Sequence, residues 1–256
     1  LHDALPILAL LGVLLCGQAR AQGKAPTNEE TVRYRSGSEE VKGLLVLPPG
    51  KAAKRPALIV IHEWWGQNDW VKAEARRFAA QGYVALSVDL YRGAVGNDPD
   101  TAHQLMRGMP EDRALRDLAA AFTYLASRKD VDPARIGAIG WCMGGGYALS
   151  LAQREPKLAA AVIYYGRLAT DEAAIKAIKA PLLGNFGADD KGIPAQSVTE
   201  FAERARAAGV SADFKIFPAA GHGFASSKDP KVYKPEPARE ADARTAAFLA
   251  THLKPA

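Results

Sequence analysis

Cysteine is nearly absent from this chain, which has 256 residues and two cysteines, Cys16 and Cys142. Two thiols allow no disulfide framework, and removal of a leader containing Cys16 would leave none to pair with Cys142. Also missing are a HExxH helix, a paired-cysteine zinc ligand set, an EF-hand loop and a GxxxxGK phosphate loop. The glycines between Gly137 and Gly145 lack dinucleotide-binding spacing, so no metal and no cofactor is expected. Lys and Arg number 33 against 28 Asp and Glu, yet no run of five or more basic residues concentrates the excess, and no nucleic-acid partner is expected. Long apolar runs are missing too: residues 4–17 form a stretch of 14, too short to span a bilayer, followed by the small-x-small site Ala19-Arg20-Ala21. Residues 1–21 therefore read as a signal peptide, which places the mature chain in the periplasm or outside the cell, with no stable membrane partner. The 23 glycines and 16 prolines are scattered, which excludes collagen-like and low-complexity chains.

What is present is an alternation of apolar β-rich runs with helical patterns. Strands are predicted at 31–35, 41–47, 57–62, 83–88, 135–141, 158–164, 181–186 and 212–217. Helices are predicted near 69–81, 111–128, 144–154, 170–178, 195–208 and 237–253. Continuously apolar strands separated by helices imply a mainly parallel sheet covered on both faces, an α/β three-layer sandwich, and residues 22–256 read as one domain. Residues 92–110 are the longest irregular stretch, read either as a substrate-facing loop or as a plain surface connection.

The chemistry gathers around Gly140-Trp141-Cys142-Met143-Gly144, where a β-rich run enters a helical pattern. Glycines two before and two after a nucleophile suit a strained strand-to-helix elbow, which leaves the thiol at a helix start and the Met143 N–H facing a developing oxyanion. A thiol nucleophile needs a base, and the base an orienting carboxylate. Of His62, His103, His222 and His252, His222 is the best base, since it follows a predicted strand and precedes the last helix. Asp189 and Asp190 both end the strand before it. The order nucleophile, acid, histidine is that of α/β hydrolases. After the strand ending at His62, Trp64 is the second candidate backbone donor for the oxyanion, Trp65 a pocket wall, and Glu63 a carboxyl able to control the thiol.

Taken together, His-Glu-x-x-Gly at 62–66, Asp-Leu-Tyr at 89–91, Gly-x-Cys-x-Gly-Gly at 140–145, Gly-x-x-Asp at 187–190 and Gly-His-x-Phe at 221–224 make the chain from about residue 32 onward resemble the dienelactone hydrolase family, cysteine-nucleophile members of the α/β-hydrolase fold. The resemblance implies Asp190 as the triad acid, Glu63 as the holder of the resting thiol, a monomer, and carboxymethylenebutenolidase-like hydrolysis of a dienelactone to maleylacetate without cofactor or metal. It also implies a substrate pocket bearing Tyr91 and two arginines for the substrate carboxylate. Here Arg92 follows Tyr91 immediately, and Ser226 stands where the second arginine would be. That substitution predicts weaker recognition of a small anionic lactone and extends the expected substrates to other small-molecule esters or lactones. The same motifs leave open a carboxylesterase with another substrate, or a binding protein that keeps the fold with an inactive site.

Overall fold

The computed structural model describes residues 28–50, 54–169 and 171–254, so the signal-peptide segment lies outside the described residues. Among the described residues, eight strands are β1 (Asn28–Ser36), β2 (Glu39–Leu47), β3 (Arg55–Ile61), β4 (Val84–Val88), β5 (Val131–Trp141), β6 (Ala160–Tyr164), β7 (Leu182–Gly187) and β8 (Ala212–Phe217). The helices among them are α1 (Asp69–Ala80), α2 (Pro99–Gly108), α3 (Glu111–Ser127), α4 (Met143–Arg154), α5 (Glu172–Ala177), α6 (Ala195–Ala207) and α7 (Pro235–Leu253). One sheet orders the strands β1-β2-β4-β3-β5-β6-β7-β8. The six from β4 to β8 run parallel, whereas β1 and β2 pair antiparallel with each other and β2 antiparallel with β4. The antiparallel edge follows from a short turn at Gly37 (φ 61°), which no crossover helix could fit.

Along each buried strand successive side chains enter different cores. In β3, Ile59 and Ile61 join the α3, α4 and α6 side, with Leu118, Phe122, Leu149 and Phe201. Leu58 and Val60 join the α1 and α7 side, with Phe78, Trp141 and Leu249. Both faces of the strand are buried, which explains why their sequences read as unbroken apolar runs. Among the described residues, no helix is long and apolar enough to cross a membrane.

The irregular reading of 92–110 is corrected, because it contains α2. Asp98 caps that helix by accepting from the Thr101 N–H at 2.9 Å, with Pro99 in the first turn. Both signals stood in the sequence, Asp98 as a cap and Pro99 as a first-turn residue. The stretch before α2 is fastened to the loop after β3 by a Gly66–Val95 bridge and by the Gly96 N–H on the Trp65 carbonyl at 2.8 Å. A parallel sheet brings the C-terminal ends of β3, β4, β5, β6 and β7 to one edge, and the chemistry-bearing residues follow those ends.

Candidate active site

Cys142 lies between β5 and α4 at φ 53° and ψ −118°, a strained conformation for a side-chain-bearing residue. The flanking glycines make the elbow possible. A Cβ on Gly140 would strike the Gly144 carbonyl, and one on Gly144 would strike the Ile61 and His62 carbonyls. Gly140→Ala is therefore expected to destabilise the fold by about 1–3 kcal/mol or more, by analogy with overpacked cores, and to displace the thiol. A drop in thermal midpoint together with slowed alkylation of Cys142 checks this. The Cys142 side chain is half-buried and makes no capping bond to α4. The Met143 N–H is thus the first amide of a helix with no side-chain cap, one of the unsatisfied donors at every helix start.

His222 follows the β8 edge, and its Nδ1 lies 2.8 Å from Asp190 Oδ2. Asp190 Oδ1 accepts from the Gly192 and Ile193 N–H groups at 2.8 and 3.1 Å, while Asp189 is solvent-exposed. Burial opposes ionisation of the Asp190 carboxyl, but its bond to His222 and those amides hold it below the usual aspartate range. Burial likewise opposes charging His222, yet hydrogen bonds to Asp190 and Cys142 outweigh it and push the imidazole up to about 10. At neutral pH the ring therefore holds a proton, with Asp190 on one nitrogen and the Cys142 sulfur as its other partner.

Glu63 is buried, and it accepts a hydrogen bond on Oε2 from Ser226 Oγ at 3.1 Å. Burial raises its carboxyl to about 7, against the lowering effects of that bond and of the His222 and Lys228 charges. The resemblance implies the resting thiol on Glu63; in the structure the Glu63 carboxyl accepts from Ser226 Oγ, and Cys142 bears on the charge of the His222 imidazole. The Glu63 carboxyl changes charge near neutrality beside the same histidine. Alkylation of Cys142 by iodoacetamide should thus show an inflection near pH 7 that Glu63→Gln removes. An identical profile in the variant would take Glu63 out of thiol control.

The Trp64 N–H has no acceptor among the described residues. Its carbonyl accepts from the Tyr91 hydroxyl at 3.0 Å, and that hydroxyl also lies 3.3 Å from Met143 Sδ. Tyr91 was expected to bind substrate; with its hydroxyl engaged and only 6% of its surface exposed, it braces the two candidate oxyanion donors instead. The Trp64 ring meets Trp65 and, on α2, His103, while the Lys228 ammonium sits 3.8 Å over the Trp65 ring. His62 is fully buried, with Nε2 accepting the Leu90 N–H and Nδ1 therefore donating to the Glu63 carbonyl. Burial lowers it to about 4, so it ties the ends of β3 and β4 as a neutral ring and is no base.

From Cys142 a cleft of about 540 Å³ runs along α4, lined by Met106, Met143, Tyr147, Leu168 and Arg167 among others. Residues 41–253 match the model of the dienelactone hydrolase family. The chain belongs to the dienelactone hydrolase family. It is 33% identical over 206 residues to a Methylorubrum extorquens protein named "Putative carboxymethylenebutenolidase", covering 75% of this chain and 70% of that one. To protein usf of Aquifex pyrophilus it is 29% identical, over 88% of this chain and 99% of that one. Its backbone matches the dienelactone hydrolase-like promiscuous phosphotriesterase P91 from metagenomic libraries with a TM-score of 0.80 at 26% identity, covering 88% and 98% of the two chains. It is accordingly an α/β hydrolase of the dienelactone hydrolase type.

Within that family, two residues expected at the substrate are placed elsewhere. Arg92, at φ 59°, turns away from the cleft and pairs at 2.8 Å with Glu39 and with the fully buried Asp117. A lone buried carboxylate is costly, so Asp117 commands the guanidinium, and the one-residue displacement of Arg92 is what puts it in reach. Ser226, expected at the substrate, is buried and spends its hydroxyl on Glu63. Sequence reasoning missed Tyr165, whose ring stands edge-on to His222 at 5.2 Å between centroids and is fully buried. The only available signal was its place in Tyr164-Tyr165-Gly166, one residue beyond a buried strand.

Proposed function

We propose that this hydrolase cleaves a carboxylic ester or lactone through an acyl-enzyme on Cys142. The observation that carries the reading is the Asp190 carboxylate held on His222 Nδ1 at 2.8 Å, with Cys142 on a strained elbow at a helix start with free amides. The sulfur attacks the carbonyl carbon, forming a C–S bond as the carbonyl electrons move to oxygen, where the Met143 and Trp64 N–H groups receive the charge. Collapse breaks the C–O bond, and the leaving oxygen takes the His222 proton; in a lactone it stays tethered to the acyl group. Water then attacks the thioester with His222 accepting its proton, the C–S bond breaks, and the acid departs. Tyr91 and Asp190 act by positioning, the first on the oxyanion loop and the second on the imidazole.

The substrate range follows from the two diverted residues. With Arg92 held by Asp117 and Ser226 by Glu63, neither position offers a free guanidinium to a compact dienelactone carboxylate. The cleft along α4, of about 540 Å³, sets the apolar Met106, Met143, Tyr147 and Leu168 beside polar Ser150, Gln153 and Arg167, which gives room for esters and lactones larger than dienelactone. A panel of dienelactone, larger lactones and p-nitrophenyl esters, with products identified by mass spectrometry, tests this. Faster turnover of the larger neutral substrates is expected; turnover confined to dienelactone would overturn the substrate reading.

A further inference from the structure

The peptide unit that carries the second oxyanion donor is held from behind. The Trp64 N–H and the Glu63 carbonyl belong to one planar amide and point in opposite directions, so whatever fixes the oxygen also fixes the aim of the hydrogen. Two donors reach that oxygen. His62 Nδ1 lies 2.6 Å from it, and the Gly66 N–H lies 3.2 Å from it and closes a turn over 63–66. The first contact is short for an N–H···O bond, which is usually about 2.9 Å.

Geometry fixes the tautomer of that ring. His62 Nε2 lies 3.3 Å from the Leu90 amide nitrogen, whose N–H can only donate, so Nε2 carries the lone pair and Nδ1 the proton. Leu90 is itself anchored, because Arg113 of α3 donates to its carbonyl at 3.1 Å. The imidazole is fully buried, and the Tyr91 ring packs on it at 4.9 Å between centroids. A Cβ on Gly144 would collide with the Ile61 and His62 carbonyls, so the first turn of α4, with Met143 at its start, packs directly on the backbone that carries His62. The Met143 and Trp64 amides therefore stand in one frame.

We propose that His62 is a positioning residue for the second oxyanion donor: its Nδ1–H holds the Glu63 backbone carbonyl, which aims the Trp64 N–H at the developing oxyanion and strengthens it as a donor. A hydrogen bond accepted by an amide oxygen draws electron density toward that oxygen and makes the N–H of the same amide more positive. No proton changes owner, and His62 touches no substrate. Burial lowers the imidazole to about 4, so the ring stays neutral at working pH and the donor stays on Nδ1.

The inference rests on the acyl-enzyme reading above, and the test separates the two. An asparagine amide reaches the Nδ1 position and a glutamine amide the Nε2 position. His62→Asn thus keeps the donor to Glu63 and loses the Leu90 tie, while His62→Gln keeps the tie and loses the donor. His62→Gln is expected to lower kcat on a p-nitrophenyl ester about ten- to hundredfold, less than the about 10²–10³-fold cost of deleting an oxyanion donor, with KM within about twofold. His62→Asn should keep the higher kcat of the two despite the lower thermal midpoint, because it leaves the buried Leu90 N–H unpaired. A ring that only ties β3 to β4 predicts the reverse, with activity following the midpoint. NMR reads the same contact without an ester: the wild-type His62 proton sits on Nδ1, and the Trp64 amide proton moves upfield in His62→Gln. Those signals stand even if Cys142→Ala kept its turnover, which would sink the thiol mechanism alone. A wild-type His62 protonated on Nε2, an unmoved Trp64 amide in His62→Gln, or kcat that follows the thermal midpoint across the two variants would overturn the proposal.

Discussion

Cys142→Ala is expected to reduce ester turnover by about 10⁴-fold or more, because removing the nucleophile of a covalent mechanism leaves only the oxyanion donors and binding. The fold should survive. The side chain caps nothing, is half-buried, and its strained backbone is as costly for alanine as for cysteine. Cys142→Gly sharpens the expectation, since glycine adopts φ 53° without a Cβ penalty. That variant should be inactive yet as stable as the wild type or more so, the strain released being on the order of 1 kcal/mol. Such a pairing of lost activity with retained or raised thermal midpoint marks a residue kept for chemistry. A Cys142→Ala protein that still hydrolysed esters at even a hundredth of the wild-type rate would point to water attacking directly, with the cysteine a bystander.

Asp190→Asn should be nearly as damaging, at about 10³–10⁴-fold in kcat, by analogy with the triad aspartate of serine proteases. The geometry gives the reason. One Asp190 oxygen accepts from the Gly192 and Ile193 amides and the other from His222 Nδ1. An asparagine must keep its oxygen toward the two amides, which turns its NH₂ group toward the imidazole. Nδ1 must then accept, the ring proton moves to the other nitrogen, and that nitrogen can no longer take a proton from the thiol. Loss of the carboxylate charge also withdraws support from the imidazolium, so the His222 titration should fall well below its value of about 10. The sign is definite: at neutral pH the wild-type ring is protonated, and the variant ring becomes mostly neutral as its midpoint drops toward and below 7. Histidine NMR across pH 5–11 reads the shift, and single-turnover acylation reads the rate. An unshifted histidine with a modest loss of rate would mean that Asp190 only holds its loop.

Much of this was legible in the sequence, for reasons that differ from residue to residue. The central strands were visible because both sheet faces are covered, so the buried stretches of β3 to β7 are apolar apart from Ser87 and Asn185. Cys142 stood out because an elbow that tight admits only glycine two residues to either side. Asp190 and Asp189 could not be separated by pattern, since the difference is a turn that aims one carboxyl at Gly192 and leaves the other in water. Arg92 was misplaced because its partner, Asp117, lies on the second turn of a helix 25 residues away, where nothing local marks it as buried. Ser226 looked like a weak substrate ligand and proved a partner of Glu63, a contact across 163 residues. α2 was overlooked because the glycines, Asn97 and the prolines around it outweighed a short amphipathic pattern, although its Asp-Pro start was there to be read. Tyr165 carried no sequence signal beyond its place one residue past a buried strand, because its distinction is its contact with His222.

The central claim is a covalent acyl group on Cys142. The most direct measurement is rapid acid quench of the wild-type protein with a p-nitrophenyl ester, followed by peptide mapping by mass spectrometry. The account predicts an acyl mass on the peptide containing Cys142, released by neutral hydroxylamine as a thioester and formed within the burst of p-nitrophenol. Steady turnover without a burst, with the Cys142 peptide unmodified at every quench time, would contradict it.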